Sequence, residues 1–455
     1  MAGEPPRRPH LRRTGGPAPG CPDPPTPRAG RLTTRLSPTF RSLANPNYRL
    51  YAAGGVVSNV GTWMQRVAQD WLILLLTGNS AAALGITTGL QFLPFLLLGP
   101  FAGLVADRLP KRRVLQLTNV MMAVPALILG LLAVTGTAQI WHVYVLALVL
   151  GVASALDSPA RHAFVSEMVE PEDLTNAVGL NSASFNAARL VGPGLAGVLI
   201  AAWGGGVVAT GCVILLNAVS YVAPVMTLQR LDTSRLAEPA HVAAKGLRAV
   251  REGISYVRHR SDLLLVLAVV FFAGTFGLNF QMTSALMATE VFGKGPTEYG
   301  LLGSFLAVGS LAGSLVAARR AEFTLRTVVV SAVVFGVAVT IAGALPTYLT
   351  FALMCPVLGV TALTLITSAN GYMQVNTHAA VRGRAMALYL MVMMGGTPLG
   401  APLLGWVGEA LGARWTLLLG GAVTVLGVVA AVAVRTVLLR RPVPRFDPVV
   451  AKRVA

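Results

Sequence analysis

The sequence predicts an all-α polytopic membrane protein, with twelve transmembrane helices in two pseudo-symmetric six-helix halves. Three observations carry that expectation: long apolar runs, the placement of the basic residues, and an internal repeat. The 455-residue chain is 54% hydrophobic and 12% charged, against about 25% charged in soluble proteins. A formal charge of +18 would suit a nucleic-acid binder if the basic residues formed one patch. They lie instead between the apolar runs, so nucleic acid is not an expected partner.

A bilayer core about 30 Å thick takes about 20 apolar residues as a helix. On that measure the spans fall near 49–76, 82–106, 113–135, 141–165, 175–202 and 207–229, then near 263–290, 297–318, 326–345, 348–373, 383–410 and 414–437. All but four of the 36 Lys and Arg residues fall in the two terminal segments or the even-numbered connections. The exceptions are Lys294 and Arg414 in odd-numbered connections and Arg66 and Arg189 within spans. By the positive-inside bias both termini are expected in the cytoplasm, with the chain in the cell (inner) membrane. One span too many or too few would invert every later loop, so this allocation also supports the count.

Five segments follow. Residues 1–40, rich in Pro and Arg and lacking an apolar signal-peptide core, read as a disordered basic tail. Residues 41–230 and 263–438 are the two halves. Residues 231–262 link them, and Val250, Ile254 and Val257 recur there at helical spacing among basic residues, which predicts an amphipathic helix on the inner leaflet. Residues 439–455 are a second cytoplasmic tail. The opposite connections are short and nearly uncharged, so no large external module is expected.

Shifting the second half by 208 residues aligns Gly151 with Gly359, Gly192 with Gly400 and Gly197 with Gly405 without gaps. Corresponding helices of the halves then run in the same direction, so the halves should be related by an axis along the membrane normal, with a cavity between them at mid-membrane.

Two motifs carry mechanism. After the second span comes Gly103, three residues, Asp107, Arg108, then Pro110, Lys111, Arg112 and Arg113. An acid at a helix end can bind neighbouring bases and helix N-termini, which makes this loop a candidate latch between the halves on the cytoplasmic side. The pattern resembles the signature loop of the major facilitator superfamily. It departs at Pro110, where that family has a turn glycine, and Pro cannot supply a positive φ. In the fifth span, Gly179, Ala188, Gly192, Pro193, Ala196 and Gly197 resemble the antiporter signature of drug exporters, with Ala at two glycine positions. Small residues there allow close helix packing, and Pro193 removes a backbone donor and is expected to kink the helix.

Longer stretches, among them NPNYRLYAAGGVVSNVGTWMQRVAQDW, ALDSPARHAFVSEMVEPEDL and VRGRAMALYLMVMMGGTPLG, resemble the enterobactin-exporter-like, transmembrane secretion effector group of that superfamily, over roughly residues 40–430. The resemblance implies proton-driven efflux of a small molecule by rocking of the two halves.

Ionisable residues inside spans are functional candidates. Arg66 and Asp70 lie four apart on one helical face; Asp70 is a candidate proton-coupling carboxylate, or the two form a structural ion pair. Asp157 and Arg161 repeat the spacing nearer the cytoplasm and read as part of the latch. Arg189 could face the cavity, cap a helix break, bind an anion or partner Asp70. Gln65, Gln69, Asn186, Asn279, Gln281 and Asn370 line the cavity or bond between helices. The three cysteines and six histidines form no ligand spacing, so no metal, cofactor or enzymatic chemistry is expected. The partners are a small-molecule substrate, protons and membrane lipids, with the protein a monomer. A proton-coupled importer is the alternative; a transport-inactive sensor would need a signalling domain that no segment supplies.

Overall fold

The computed structural model describes residues 38–237, 253–318, 322–378 and 381–440. Membrane helices follow in the expected order: α1 Pro46–Thr77, α2 Ala81–Arg108, α3 Lys111–Val134, α4 Ile140–Met168, α5 Pro171–Ala202, α6 Val207–Arg230, α7 Ser261–Val291, α8 Pro296–Ala318, α9 Leu325–Ala344, α10 Tyr348–Asn376, α11 Arg382–Leu411 and α12 Ala413–Arg440. Eleven of the twelve have the length and apolarity of a membrane span. The exception is α1, which carries Gln65, Arg66, Gln69 and Asp70. Its polarity is turned into the protein: Gln65, Gln69 and Asp70 are buried.

Local chemistry sets the helix ends. The Asn45 side chain accepts from the backbone N–H groups of Asn47 and Tyr48, Pro46 occupies the first turn, and Gly78 at φ +63° closes α1. The Ser80 side chain caps α2 by accepting from Ala83 N–H. Pro110 opens α3 at φ −56° after an extended Leu109. The turn between α2 and α3 is therefore made without a positive φ, as a proline there requires.

Three helices predicted as continuous are interrupted, one of them α6, which breaks at Tyr221. In α7 the helix passes through a π-turn at Ala273–Gly277, and Leu278 and Asn279 are non-helical before it resumes at Phe280. In α11 the break falls at Gly396. Irregular backbone at membrane depth is tolerated where it lines a cavity instead of lipid. By contrast α5 runs through Pro193 without interruption.

The halves are built alike. In the first, α1 packs on α5 and α6, α4 on α2 and α3, and α3 on α6; adding six to each label gives the packed pairs of the second half. The aligned glycines show why. A Cβ on Gly151 of α4 would strike the Gln91 carbonyl of α2, and one on Gly359 of α10 would strike the Leu306 carbonyl of α8. Gly192 meets Trp63 of α1, and Gly400 meets Thr275 of α7. Gly197 meets Pro296 at the start of α8, and Gly405 meets Ala81 at the start of α2. Each glycine and its repeat thus permit the same backbone approach between corresponding helices.

The halves meet along two seams, α5 with α8 and α2 with α11, which the same repeat exchanges. Both seams are tight at the end away from the termini. Pro193, Gly197, Gly300 and Gly303 interlock in one, and Gly85, Gly89, Pro402 and Gly405 in the other. Glu409 of α11 crosses the second seam there, its Oε2 accepting from Ser80 Oγ at 2.9 Å and from Ala82 N–H at 3.2 Å. Toward the termini, on these same helices, a Cβ on Gly179, Gly99 or Gly383 would meet nothing within 4 Å. The halves are sealed at one end and splayed at the end carrying the termini.

Of the predicted linker helix, residues 238–252, including Val250, lie outside the described residues. Residues 253–258 are helical, with Val257 buried and Ile254 exposed.

Gly179 and Gly197 belong to one sequence motif but stand in opposite surroundings. Gly197→Val is expected to push the α5–α8 seam apart, lowering stability by about 1–3 kcal/mol in thermal unfolding. It should also speed maleimide labelling of a Thr297→Cys reporter in a cysteine-free background. Gly179→Val should change stability by no more than about 0.5 kcal/mol.

Candidate substrate and coupling site in the central cavity

A cavity of about 230 Å³ lies between the halves. The first half contributes α1, α2 and α5, and the second contributes lining from α7 to α12. On α1, Trp63, Arg66 and Asp70 follow at intervals of three and four residues and so share the face that lines it.

Trp63 is fixed from α5. The missing side chain of Gly192 lets α5 approach so closely that a Cβ there would sit 2.6 Å from Trp63 Cβ. Phe185 meets the indole edge-on with centroids 5.7 Å apart. The Arg66 guanidinium lies 4.8 Å from the indole centroid and that of Arg189 5.5 Å from it, a cation–π arrangement on both counts. Neither arginine has an ion-pair partner among the described residues. The i,i+4 spacing suggested that Arg66 and Asp70 form an ion pair; they act on one another electrostatically but make no such contact. Arg66 turns to the indole, and the carboxylate is engaged elsewhere.

Asp70 is buried, and its Oδ2 accepts hydrogen bonds from Gln281 Nε2 of α7 and Tyr299 OH of α8, both at 2.7 Å. A carboxylate of one half is therefore bound by two donors of the other. Gln281 reaches it because α7 restarts at Phe280 after its break. At that break Asn279 donates from Nδ2 to the Thr275 carbonyl at 2.7 Å, while its buried Oδ1, like the buried Nε1 of Trp63, has no hydrogen-bond partner among the described residues.

The other candidate cavity residues go elsewhere. Gln65 and Gln69 line a smaller polar recess within the first half, beside Thr62, Asn217 and Tyr221, and Gln65 Oε1 accepts from Asn217 Nδ2. Asn186 donates to the Ser182 carbonyl on its own helix at 2.9 Å. The antiporter-like motif is divided: Gly192 serves α1, Pro193 and Gly197 serve α8, and Gly179 faces open space.

The expected cytoplasmic latch is a set of bonds inside the first half. Arg112 donates from Nε to the Leu228 carbonyl at 2.6 Å and from Nη2 to the Gln229 carbonyl at 2.9 Å, capping the end of α6. Asp157 pairs with Arg161 at 2.7 Å and accepts from Thr118 Oγ1 at 2.7 Å. Lys111 pairs with Glu167 at 2.5 Å. Arg108 and Arg113 are exposed. Gly103 and Asp107 lie in the last turns of α2, and the side chain of Asp107 lies outside the description. Among the described residues, every hydrogen-bond and ion-pair partner of Arg112, Asp157 and Arg161 belongs to the first half.

Tyr299 and Trp63 were not singled out from the sequence. A tyrosine close to the start of a span reads as an interfacial anchor. Trp63, three residues before Arg66, carried a usable signal, since an aromatic and a cation at that spacing meet on a helix.

Comparison with known proteins agrees with this architecture. Residues 37–445 match the family described as transmembrane secretion effector. The multidrug efflux pump Tap of Mycolicibacterium fortuitum is 28% identical over 84% of this chain and 93% of its own. A staphyloferrin A transporter of Staphylococcus aureus is 24% identical over 80% and 90%. Among solved structures, the D-xylose-proton symporter superposes with a TM-score of 0.66 at 12% identity, over 86% of this chain and 97% of that one. A bacterial homologue of the human lysosomal transporter Spinster, inward-facing and occupied, gives 0.64 at 16% identity, over 90% and 100%. At such identities these likenesses speak for the fold.

If Arg112 serves α6 and not the second half, Arg112→Gln should lower thermal stability by about 1–3 kcal/mol through two lost charge-assisted bonds. Labelling rates of reporters at the sealed end should not change.

Proposed function

Because the chain belongs to the transmembrane secretion effector family of the major facilitator superfamily, we propose that it is a secondary active exporter, moving a small molecule outward against an inward flow of protons. The observation that carries the coupling is the bonding of Asp70 to Gln281 and Tyr299 across the boundary between the halves. The relatives named as a multidrug efflux pump and a macrolide efflux protein support the outward direction.

Hydrogen bonds to an ionised carboxylate are roughly twice as strong as those between neutral groups. Protonating Asp70 therefore weakens both ties from α1 to α7 and α8. Because α8 is also one side of the α5–α8 seam, the change at Asp70 reaches a contact that keeps the far end sealed. Proton binding thus biases which end is open, and alternating access follows by rocking of one half on the other. The distribution of basic residues supports cytoplasmic termini; in that orientation the splayed end faces the cytoplasm and the cavity is open to cargo from inside. The protein works as a monomer, and no catalytic step is needed.

In proteoliposomes under an imposed pH gradient, with a panel of labelled acidic and basic drug-like compounds as probes, Asp70→Asn is expected to abolish uphill transport of those that the unaltered protein moves, while their downhill exchange persists. Tyr299→Phe should slow coupled transport about tenfold, the equivalent of one weakened bond. Uphill transport unchanged by Asp70→Asn would sink the assignment. The orientation has its own check: in intact cells an impermeant maleimide should label a Thr137→Cys variant and not an Arg440→Cys variant.

A further inference from the structure

We propose that the cavity holds the cargo by an anionic group, a carboxylate or an acid of similar charge attached to a planar or apolar body, seated between Arg66 and Arg189 beside the Trp63 indole. This rests on the exporter reading and specifies the chemistry of its cargo.

The charge of the lining is the first reason. Arg66, Arg189 and Asp70 are the charged residues among the described residues that line the cavity. Asp70 is already bound by Gln281 and Tyr299, and it offsets at most one of the two guanidiniums. One positive charge is left in a cavity at mid-membrane depth, where an uncompensated cation is costly. The two arginines also repel one another, so something other than mutual attraction must account for both being turned to the same ring. A ligand anion bridging them would neutralise the excess.

Unused hydrogen-bonding capacity is the second. Guanidinium groups present fixed forks of donors suited to carboxylates, and neither fork is occupied by a protein carboxylate among the described residues. The indole face and neighbouring apolar side chains such as Phe92 and Leu278 supply contact for the remainder of the molecule, and the volume of about 230 Å³ accommodates a bicyclic aromatic acid.

Charge alone would draw a proton and an anion in together, because protonating Asp70 makes the lining more positive. Exchange therefore has to come from shape: the ties of ionised Asp70 to α7 and α8 hold the cavity in the form that admits cargo.

The test uses the full-length protein in lipid nanodiscs, with naphthoate and its uncharged isostere naphthamide as probes and calorimetric titration as readout. Naphthoate should bind about tenfold more tightly than naphthamide. Arg66→Gln with Arg189→Gln should bring the two within about twofold, and Arg66→Lys with Arg189→Lys should retain part of the preference. Equal binding of acid and amide by the unaltered protein overturns the proposal without recourse to any variant. So does a preference that survives the glutamine substitutions, or one abolished by physiological chloride, since a mineral anion would then be the occupant. No gradient is applied, so a failure of proton coupling leaves the comparison standing, and equal binding leaves the coupling by Asp70 untouched.

Discussion

The close approach of backbones at the two seams is the contact on which the rest of the molecule depends. In lipid there is little hydrophobic gain from burying one apolar helix against another, so helices associate through shape and through small residues that let backbones touch. Along α5 with α8 and α2 with α11 the glycines are not spread evenly. They interlock with prolines near the end away from the termini and face open space toward the termini. That asymmetry leaves the cavity between a sealed end and a splayed one.

Polar chemistry is concentrated where the seams leave room. Among the described residues, the charged groups deep within the spans sit against protein: Asp157 with Arg161 and Thr118, Asp70 with Gln281 and Tyr299, and the two cavity arginines against Trp63. The first set ties helices of one half together and makes that half rigid. The second crosses between halves, so its strength can alter how they sit. The break in α7 at Leu278 and Asn279 serves the second set, because it restarts the helix with Gln281 toward α1 and leaves an unpaired Asn279 oxygen in the cavity wall. One carboxylate is thus bound within a half and the other across the boundary between the halves, although their sequence surroundings are similar.

Much of the fold could be read from the chain. Apolar runs of membrane length, basic residues confined to alternate connections, and glycines repeating at a shift of 208 each report a constraint that acts on sequence directly: the thickness of the bilayer, the bias of charge across it, and the packing demands of duplicated helices. Asp70 and Arg189 could be nominated because any charge within a span needs a reason. Their partners could not. Gln281 is 211 positions from Asp70 and Tyr299 229 positions from it, and nothing in local spacing links them. Arg112 and Asp157 were legible as candidates, but their partners in this conformation, the α6 carbonyls, Arg161 and Thr118, were not, because a basic or acidic residue at a helix end can serve its own half or the other.

By itself, then, the sequence determined the number and order of the helices, their duplication, and which side chains are too polar for lipid, since these follow from periodicity and composition along one chain. Only the tertiary structure decided that Arg66 leaves Asp70 for Trp63, that Asp70 is held by the opposite half, and that one end is sealed while the other stands open. Those outcomes are set by distances between helices remote in sequence, where the absence of a single Cβ at Gly192 or Gly197 decides which surfaces can touch.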